Sequence, residues 1–261
     1  MKEKLAFTLA EVLITLGIIG VVAALTIPTL VQNYQKKALV TQLKKTIAVL
    51  DNGFKLMMAA EDADTIYNTE MWSGFHTEST AERVYEAIKA YIPKYFKTID
   101  ICYGTTKSDC PAYSAYATYK TLNGSEDAVS EDGNFSPYFQ LSDGAIMYLS
   151  NLTKMVISDA DCKALKANGG SVCGYATFYP IIIDINGISG PNTLGRDLYA
   201  VMIDQYGMVY DMASKAVMGN NADWEANAPS YCGTRGSTDV SQAEGYGCLA
   251  RIIEEGWKMT Y

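Results

Sequence analysis

The sequence has very little histidine and no pair of cysteines at the spacing of a metal-binding motif. His76 is the single histidine in 261 residues, and the six cysteines all lie beyond residue 100 without forming a Cys-x-x-Cys pair. The ligand clusters that hold zinc in proteins combine cysteine and histidine at short, regular spacings. Since the sequence offers no such cluster, we do not expect a zinc site, and we expect His76 to lie in an exposed loop.

Positive charge and enzyme motifs are also scarce. The formal net charge is −8 and the sequence pI is about 4.7, which argues against the broad basic surface of a nucleic-acid-binding protein. No Gly-x-Ser-x-Gly, Gly-x-Gly-x-x-Gly or phosphate-binding Gly-rich loop occurs. The carboxylates include no pair marked for acid–base chemistry. We therefore expect no enzyme activity, and a surface-anchored glycosidase with two carboxylates is the alternative.

The cysteines are even in number, which favours disulfides in an oxidising compartment. Six cysteines allow 15 pairings, and a sequence alone does not choose among them. Free buried thiols are the alternative. The short spacings favour three local loops, closed by Cys102–Cys110, Cys162–Cys173 and Cys232–Cys248.

The segment from Phe7 to Leu30 is apolar apart from one carboxylate, Glu11. Its length suits a helix that crosses a hydrocarbon core of about 30 Å. A secretory signal peptide is one alternative, but the apolar part of a signal peptide is usually shorter and carries no carboxylate. A plain transmembrane anchor is another, but it gives Glu11 no role. A charged residue inside a membrane span is costly and indicates a function.

The stretch "AFTLAEVLITLGIIGVVAALTIP" resembles the N-terminal segment of type IV pilins and type II secretion pseudopilins. Members of that family have a short basic leader, a cleavage site before Phe, Glu at the fifth position after the cut and Pro at the twenty-second. Counted from Phe7, Glu11 is fifth and Pro28 is twenty-second. The resemblance is close over about the first 30 residues. One position departs from the family, because Ala6 stands where Gly is usual.

The resemblance implies specific partners and roles. A prepilin peptidase would cut between Ala6 and Phe7 and methylate the new amine. Inner-membrane assembly machinery would then build copies of this chain, or other pilins, into a helical filament in which Glu11 faces the Phe7 amine of a neighbour. A buried carboxylate beside an opposite charge costs less than one left alone. A protonated Glu11, or one that reaches the membrane edge, is the alternative.

The sequence divides into four segments. Residues 1–6 are the expected leader, residues 7–30 the transmembrane and filament-core helix, residues 31–60 its amphipathic continuation, and residues 61–261 a periplasmic or extracellular globular domain. Lysines on both sides of the apolar run leave the orientation open by charge counting, whereas the cysteines favour a globular domain in the periplasm. The continuation carries apolar residues at nearly helical spacing, namely Val31, Tyr34, Leu39, Leu43, Ile47, Leu50, Phe54 and Met57.

The globular segment predicts one helix and then several strands. Ser79 and Glu82 form a capping-box pattern for a helix that ends before Pro93. From about residue 137, strands flank tight turns at residues 142–144 and 205–207. We therefore predict an α+β fold in which the long N-terminal helix packs on an antiparallel sheet of four or five strands. The plan is pilin-like, with disulfide-closed loops.

The loop "DINGISGPNTLGRD" is the most ligand-like segment. Its oxygen-bearing side chains make a candidate calcium site, with Asp184, Asn186, Asn192 and Asp197 as the candidate ligands. The spacing is not that of an EF-hand, and an Asx-rich turn between two strands is favoured. Apart from this ion, no cofactor is expected. Near the end, Cys248 to Glu255 predicts a short helix stopped by Gly256, with Trp257 packing back.

Three functions are compatible with these features. The first is a structural subunit, a pilin or pseudopilin, of a type IV pilus or a type II secretion pseudopilus, held in the bacterial inner membrane before assembly. The second is a membrane-anchored binding or adhesion module, such as a minor tip pilin. The third is an anchored periplasmic protein that forms no filament.

Overall fold

The computed structural model describes residues 8–75, 80–104, 109–110, 112, 119–125, 137–149, 155–156, 158–175, 181–214 and 231–261. The chain divides into two compact units, Met1–Ala38 and Leu39–Tyr261. The division falls inside the predicted amphipathic segment of residues 31–60. Ala6, Phe7, His76 and Ser79 lie outside the described residues.

The first unit consists, as far as it is described, of the beginning of helix α1, which spans Leu9–Ala60. The large apolar side chains from Leu9 to Tyr34 are between 41 and 78% exposed. Among the described residues, α1 is the one helix long and apolar enough to cross a membrane, judged by length and composition. An 18-residue stretch of this helix has a mean hydropathy of 2.3. This is consistent with the predicted transmembrane helix.

In the second unit, one face of α1 enters the core. The buried apolar residues of this face recur at helical spacing and are Val40, Leu43, Ile47, Leu50, Phe54 and Met57. Most of them belong to the predicted stripe. Val31 and Tyr34, its first two members, are exposed residues of the first unit.

The other described helices are short. They are α2 (Glu70–Ser73), α3 (Ala81–Tyr95), α4 (Asp159–Ala167) and α5 (Cys248–Glu254), and a 3₁₀ turn spans Ile66–Asn68. Eight strands are described: β1 (Thr98–Cys102), β2 (Tyr138–Leu141), β3 (Ile146–Tyr148), β4 (Met155–Val156), β5 (Gly174–Tyr175), β6 (Ile181–Asp184), β7 (Leu198–Ile203) and β8 (Val209–Asp211).

Six of these strands form one antiparallel sheet in the order β1-β2-β3-β6-β7-β8, and β4 pairs with β5 in a separate ladder. The predicted α+β class, with a long helix, an antiparallel sheet and disulfide-closed loops, is confirmed. Both predicted hairpins are present as β2–β3 and β7–β8. The predicted strand number is wrong, because the sheet also contains β1, which precedes residue 137.

The core of the second unit is built around a chain of aromatic rings. Phe54 of α1 contacts Trp72 of α2 at 5.7 Å and Phe96 at 5.1 Å between ring centroids, both edge to face. Phe96 in turn lies 5.8 Å from Phe139 of β2. Edge-to-face aromatic pairs of this kind add to the stabilisation from apolar burial. They join α1, α2, the end of α3 and the sheet.

Polar contacts join the same part of α1 to the ends of strands. The Gln42 side chain donates a hydrogen bond to the Ile185 carbonyl oxygen. Lys45 pairs with Asp143 at 3.2 Å in the β2–β3 turn. Asp51 Oδ1 accepts a hydrogen bond from the Val209 amide of β8 at 2.8 Å. These contacts fix the rotation of the helix about its axis above the sheet.

Helix α3 differs from its prediction at both ends. Its N-cap is Thr80, whose hydroxyl accepts a hydrogen bond from the Arg83 amide, rather than Ser79. It continues through Pro93 to Tyr95. A proline breaks a helix by removing one amide donor and crowding the preceding turn. Here that cost falls in the last turn, where packing of Ile92 and Phe96 in the core outweighs it.

Three disulfides are present, as the cysteine count predicts. They join Cys102 to Cys110, Cys162 to Cys173, and Cys232 to Cys248, and no cysteine is free. These are the pairs that the short spacings favour. Disulfides persist in oxidising compartments, so they indicate an extracytoplasmic location for the second unit.

Candidate functional site

The start of α1 is organised by Thr8 and Glu11. The Glu11 carboxylate accepts hydrogen bonds from the Thr8 amide and from the Thr8 hydroxyl, each at 2.8 Å. The Glu11 amide donates back to the Thr8 hydroxyl oxygen at 3.3 Å. This reciprocal arrangement is a capping box, in which an N-cap Thr and a Glu three residues later satisfy amides at the helix start.

The rest of the apolar segment also leaves few polar groups unsatisfied. The hydroxyls of Thr15 and Thr26 donate to the carbonyl oxygens of Val12 and Val22, both at 2.9 Å. Pro28 lies inside α1, where it removes one helical amide donor. Glu11 is the one carboxylate on the exposed apolar helix from Leu9 to Leu30. Its hydrogen-bond donors are the amide and the hydroxyl of Thr8.

The predicted processing residues cannot be placed beside Glu11, because Ala6 and Phe7 lie outside the described residues. Glu11 and Pro28 both lie on α1 and stay predicted assembly residues. Thr8 did not figure among the predicted site residues. Its signal was nevertheless present in the sequence as the Thr-x-x-Glu pattern of residues 8–11.

The loop between β6 and β7 brings the four predicted calcium ligands together. Asp184 Oδ1 accepts a hydrogen bond from the Asn186 amide at 3.1 Å, which is an Asx turn. Asp197 Oδ2 accepts from the Asn192 amide at 2.8 Å and from Asn186 Nδ2 at 3.2 Å. Asp197 Oδ1 accepts from the Thr193 amide at 2.5 Å. The loop is thus closed by its own hydrogen bonds.

Both carboxylates of this loop are buried. Burial raises the pKa of Asp184 to about 8, and the nearby Asp197 carboxylate adds to the rise. Burial also raises the pKa of Asp197, although its hydrogen bonds oppose the change. Across the described ranges, no three His, Cys, Asp or Glu side chains meet in a group that could hold a metal ion. The predicted calcium site therefore lacks a third acidic ligand, and its two amide side chains would have to supply neutral oxygens.

A second polar cluster surrounds Arg251 in α5. Arg251 is 6% exposed and forms a salt bridge with Glu255 at 3.1 Å. Its remaining donors reach the carbonyl oxygens of Cys232 and Ser237 and the hydroxyl of Thr260. These four hydrogen bonds offset much of the cost of burying the Arg251 charge. The cluster holds the Cys232–Cys248 loop against α5.

The end of the chain joins this cluster to the β6–β7 loop. The Tyr261 ring lies 4.8 Å from the Arg251 guanidinium, and its hydroxyl donates to the Gly195 carbonyl oxygen at 2.5 Å. The predicted C-terminal helix is confirmed as α5. Gly256 follows it with φ of 73°, and the Trp257 amide donates to the Ile252 carbonyl oxygen at 2.7 Å. This is the expected glycine stop.

Buried Asp211 at the end of β8 supports the start of α5. Its carboxylate accepts hydrogen bonds from the Ala213 amide at 2.7 Å and the Ala250 amide at 3.1 Å. Burial raises its pKa to about 6, while these amides oppose the rise. Asp211 and Ala250 are 39 positions apart, and no local sequence pattern links them. The contact could therefore not be predicted without the fold. These hydrogen bonds orient the start of α5.

Comparisons with models of protein families, with curated proteins and with solved structures gave no significant match. The resemblance to pilins therefore rests on the residues of the N-terminal segment. In this chain the candidate functional site is the exposed apolar part of α1 together with Thr8 and Glu11.

Proposed function

We propose that this chain is a structural subunit of a type IV pilus or a type II secretion pseudopilus. A prepilin peptidase cuts it between Ala6 and Phe7, and its N-terminal helix then packs with the helices of other copies in a filament. The subunit catalyses no reaction. The observation that carries the proposal is an exposed apolar helix that bears one carboxylate near its start.

The exposed side chains of α1 supply the first support. Large contiguous apolar surfaces are stable in lipid or against another apolar surface, and not in water. From Leu9 to Leu30 the helix is exposed on all sides rather than along one stripe. A helix of this kind suits a membrane before assembly and a bundle of identical helices afterwards.

Glu11 distinguishes an assembling helix from a simple anchor. An anchor gains nothing from a carboxylate in its span, because an isolated charge in an apolar medium is expensive. An amine on a neighbouring copy offsets that cost and favours one register between the two helices. Removal of one member of a buried charge pair costs about 3–5 kcal/mol, because the other is left alone.

The disulfides of the globular unit support a location outside the cytoplasm. They suit the periplasm or the cell surface, and in the proposed topology α1 crosses the inner membrane once. The second unit would then project into the periplasm before assembly.

Filament incorporation of Glu11→Gln tests the proposal. The full chain is expressed in cells that carry a complete assembly system, and its amount in sheared filaments is measured relative to the amount in membranes. We expect Glu11→Gln to reduce the filament fraction at least about ten-fold, because the amide cannot neutralise an amine.

Glu3→Gln is the matched control, since it makes the same chemical change in the expected leader. It should leave the filament fraction unchanged. If Glu11→Gln enters filaments as efficiently as the wild-type chain, charge pairing does not drive assembly and the proposal fails.

A membrane-anchored binding module is the second candidate. The Cys232–Cys248 loop bears a cleft of about 140 Å³, and the side chains of Thr234, Ser237, Asp239, Ser241 and Gln242 give it a polar lining. A small polar ligand would suit such a lining. An anchored module that forms no filament predicts equal membrane amounts of wild type and Glu11→Gln, and no filament fraction for either.

For the β6–β7 loop, we propose closure by hydrogen bonds rather than by calcium. The Asp184 and Asp197 carboxylates already accept hydrogen bonds from backbone amides of the loop. The melting temperature of the full chain should therefore be equal in calcium and in a chelator. A higher melting temperature in calcium would instead indicate an ion held by Asp184, Asn186, Asn192 and Asp197.

A further inference from the structure

Thr8 supplies donors from two different groups to one carboxylate oxygen. Its amide and its hydroxyl both donate to Glu11 Oε2 at 2.8 Å, and its hydroxyl oxygen accepts from the Glu11 amide. The Val12 amide then begins the regular helical pattern by donating to the Thr8 carbonyl oxygen at 3.2 Å. The first turn of α1 is therefore organised around the same carboxylate that the proposed assembly requires.

This arrangement matters because the Glu11 carboxylate needs hydrogen-bond partners before a neighbouring subunit is present. A subunit that waits alone has no amine from another copy, and an unpaired carboxylate at an apolar helix is costly. Hydrogen bonds to a charged acceptor are about twice as strong as neutral ones. Two such bonds from Thr8, placed at the positive end of the helix dipole, reduce the cost without a partner.

We propose that Thr8 is a positioning residue that holds the Glu11 carboxylate within its own chain until a neighbouring copy supplies an amine. Assembly then exchanges an intrachain partner for one on another subunit. The exchange rests on the proposed function, whereas the holding of Glu11 by Thr8 does not.

Cleavage at the expected site leaves the capping box intact. Every donor and acceptor in it belongs to Thr8 or Glu11, both of which follow the Ala6–Phe7 bond. The box therefore serves the unprocessed and the processed subunit alike. It also keeps Glu11 at the start of the helix, close in sequence to the amine that cleavage would create.

Amide hydrogen exchange on the unassembled full chain in detergent micelles tests the inference. Thr8→Val removes the hydroxyl and should speed exchange of the Glu11 amide about five-fold or more, the effect of losing an N-cap. Thr8→Ser keeps the hydroxyl and should match the wild-type rate. Glu11→Ala should speed exchange of the Thr8 amide. Glu11→Gln keeps an oxygen acceptor at the position that the capping box requires and should leave that amide protected.

The variants separate this inference from the proposed function. If the Glu11 amide in Thr8→Val, or the Thr8 amide in Glu11→Ala, exchanges within about two-fold of wild type, Thr8 does not hold Glu11 and the inference is overturned. Glu11→Gln gives the independent result. A protected Thr8 amide with lost filament incorporation supports both claims. A protected amide with normal incorporation supports the capping box and contradicts the proposed function.

Discussion

At the scale of single residues, Glu11 needs hydrogen-bond donors wherever the apolar helix is placed. In the described chain these come from Thr8, at 2.8 Å for each of two bonds. In the proposed filament a neighbouring amine adds an opposite charge. The two interactions depend on different properties of the Glu11 side chain. The capping box with Thr8 needs an oxygen acceptor, whereas the ion pair with an amine needs a negative charge. Gln and Ala substitutions at Glu11 therefore report on different interactions.

Thr46 on α1 has a buried hydroxyl that no described residue contacts by a hydrogen bond, and its side chain is fully buried. A buried polar atom without a partner loses its hydration and gains nothing in return. Thr46→Val keeps the shape and removes that atom. We expect the free energy of unfolding to rise by about 1–2 kcal/mol, measured by thermal or denaturant unfolding.

The same replacement at exposed Thr234 is the control for this prediction, since its hydroxyl is in water. Its stability should change little. A lower melting temperature for Thr46→Val would mean that the hydroxyl has a partner in solution.

Asp211 predicts a pH-dependent contribution to stability. Burial raises its pKa from 3.8 to about 6 in the folded chain. The folded state therefore binds the proton more tightly than the unfolded state. The stability from this protonation is fully present below pH 3.8 and is lost as the pH rises through about 6.

Asp211→Asn removes the titrating group and keeps one of the two oxygens that accept from the Ala213 and Ala250 amides. We expect the melting temperature of Asp211→Asn, relative to wild type, to be higher at pH 7.5 than at about pH 4. Asp64→Asn, at an exposed position, serves as the control. A difference that is constant over this pH range would contradict the raised pKa.

Sequence patterns revealed residues whose partners are close along the chain. The Thr-x-x-Glu pattern of Thr8 and Glu11 indicates a capping box. The apolar residues around Glu11 instead favoured the prediction of an ion pair. Asp184 and Asn186 are two residues apart, and the favoured Asx turn is present. Asp211 and Arg251 could not be assigned, because their partners become neighbours only when β8, α5 and the disulfide loop meet.

At the scale of elements, the contact between α1 and Phe96 requires glycine at position 53. A Cβ atom on Gly53 would lie 2.0 Å from Phe96 Cε1, far inside van der Waals contact. Elsewhere in a helix, Gly→Ala is stabilising by about 1 kcal/mol. Here we expect Gly53→Ala to lower the free energy of unfolding by about 1–3 kcal/mol, because the ring has to move.

Gly74→Ala is the control for that substitution. The nearest atom to its added Cβ, Arg83 Nη2, lies 4.0 Å away. Adding Phe96→Leu to Gly53→Ala should recover part of the loss. Equal stability of Gly53→Ala and wild type would show that α1 does not pack this closely on Phe96.

Asp51 protects the edge of the sheet. Among the described strands β8 lies at the edge of the sheet, and its Val209 amide donates to Asp51 Oδ1. An unpaired edge amide invites pairing with another chain. Asp51→Ala should speed hydrogen exchange of the Val209 amide about ten-fold, from the loss of one hydrogen bond in a partly buried site.

Asp51→Asn provides the matched comparison, because its amide oxygen can still accept the bond. Its Val209 amide should exchange nearly as slowly as in wild type. Rapid exchange in both variants would show that the carboxylate charge, rather than the acceptor, protects β8.

Elements with strong local signals were predictable. The turns at Asp143-Gly144 and Tyr206-Gly207 fixed two hairpins, and each glycine has a positive φ that such a turn needs. β1 was missed because its five residues include Asp100 and precede a long segment without strand signals. The extension of α3 through Pro93 was missed because core packing outweighs the local penalty of proline.

At the scale of the whole molecule, the two units have different sources of stability. The second unit has its own aromatic core and three disulfides. The described part of the first unit is a helix with exposed apolar side chains, which need lipid or other helices around them. In the proposed function, the first unit provides assembly and the second provides the surface of the filament.

The strand order illustrates what a sequence does not specify. β3 pairs with β6 across an insertion that contains α4 and the separate β4–β5 ladder. The turn residues of each hairpin carry no information about which distant strand lies beside it. That choice depends on the packing of both sheet faces, since nearly all residues of β3 and β7 are buried.

The N-terminus of the protein isolated from its native membrane or filament tests the central claim most directly. Mass spectrometry of the N-terminal peptide should find N-methyl-Phe7 as the first residue, because the amine expected to face Glu11 exists only after cleavage at Ala6. An intact Met1 would indicate a plain anchor, and a chain that begins near Leu25 would indicate a secretory signal. Either of these results would contradict a filament subunit assembled through Glu11.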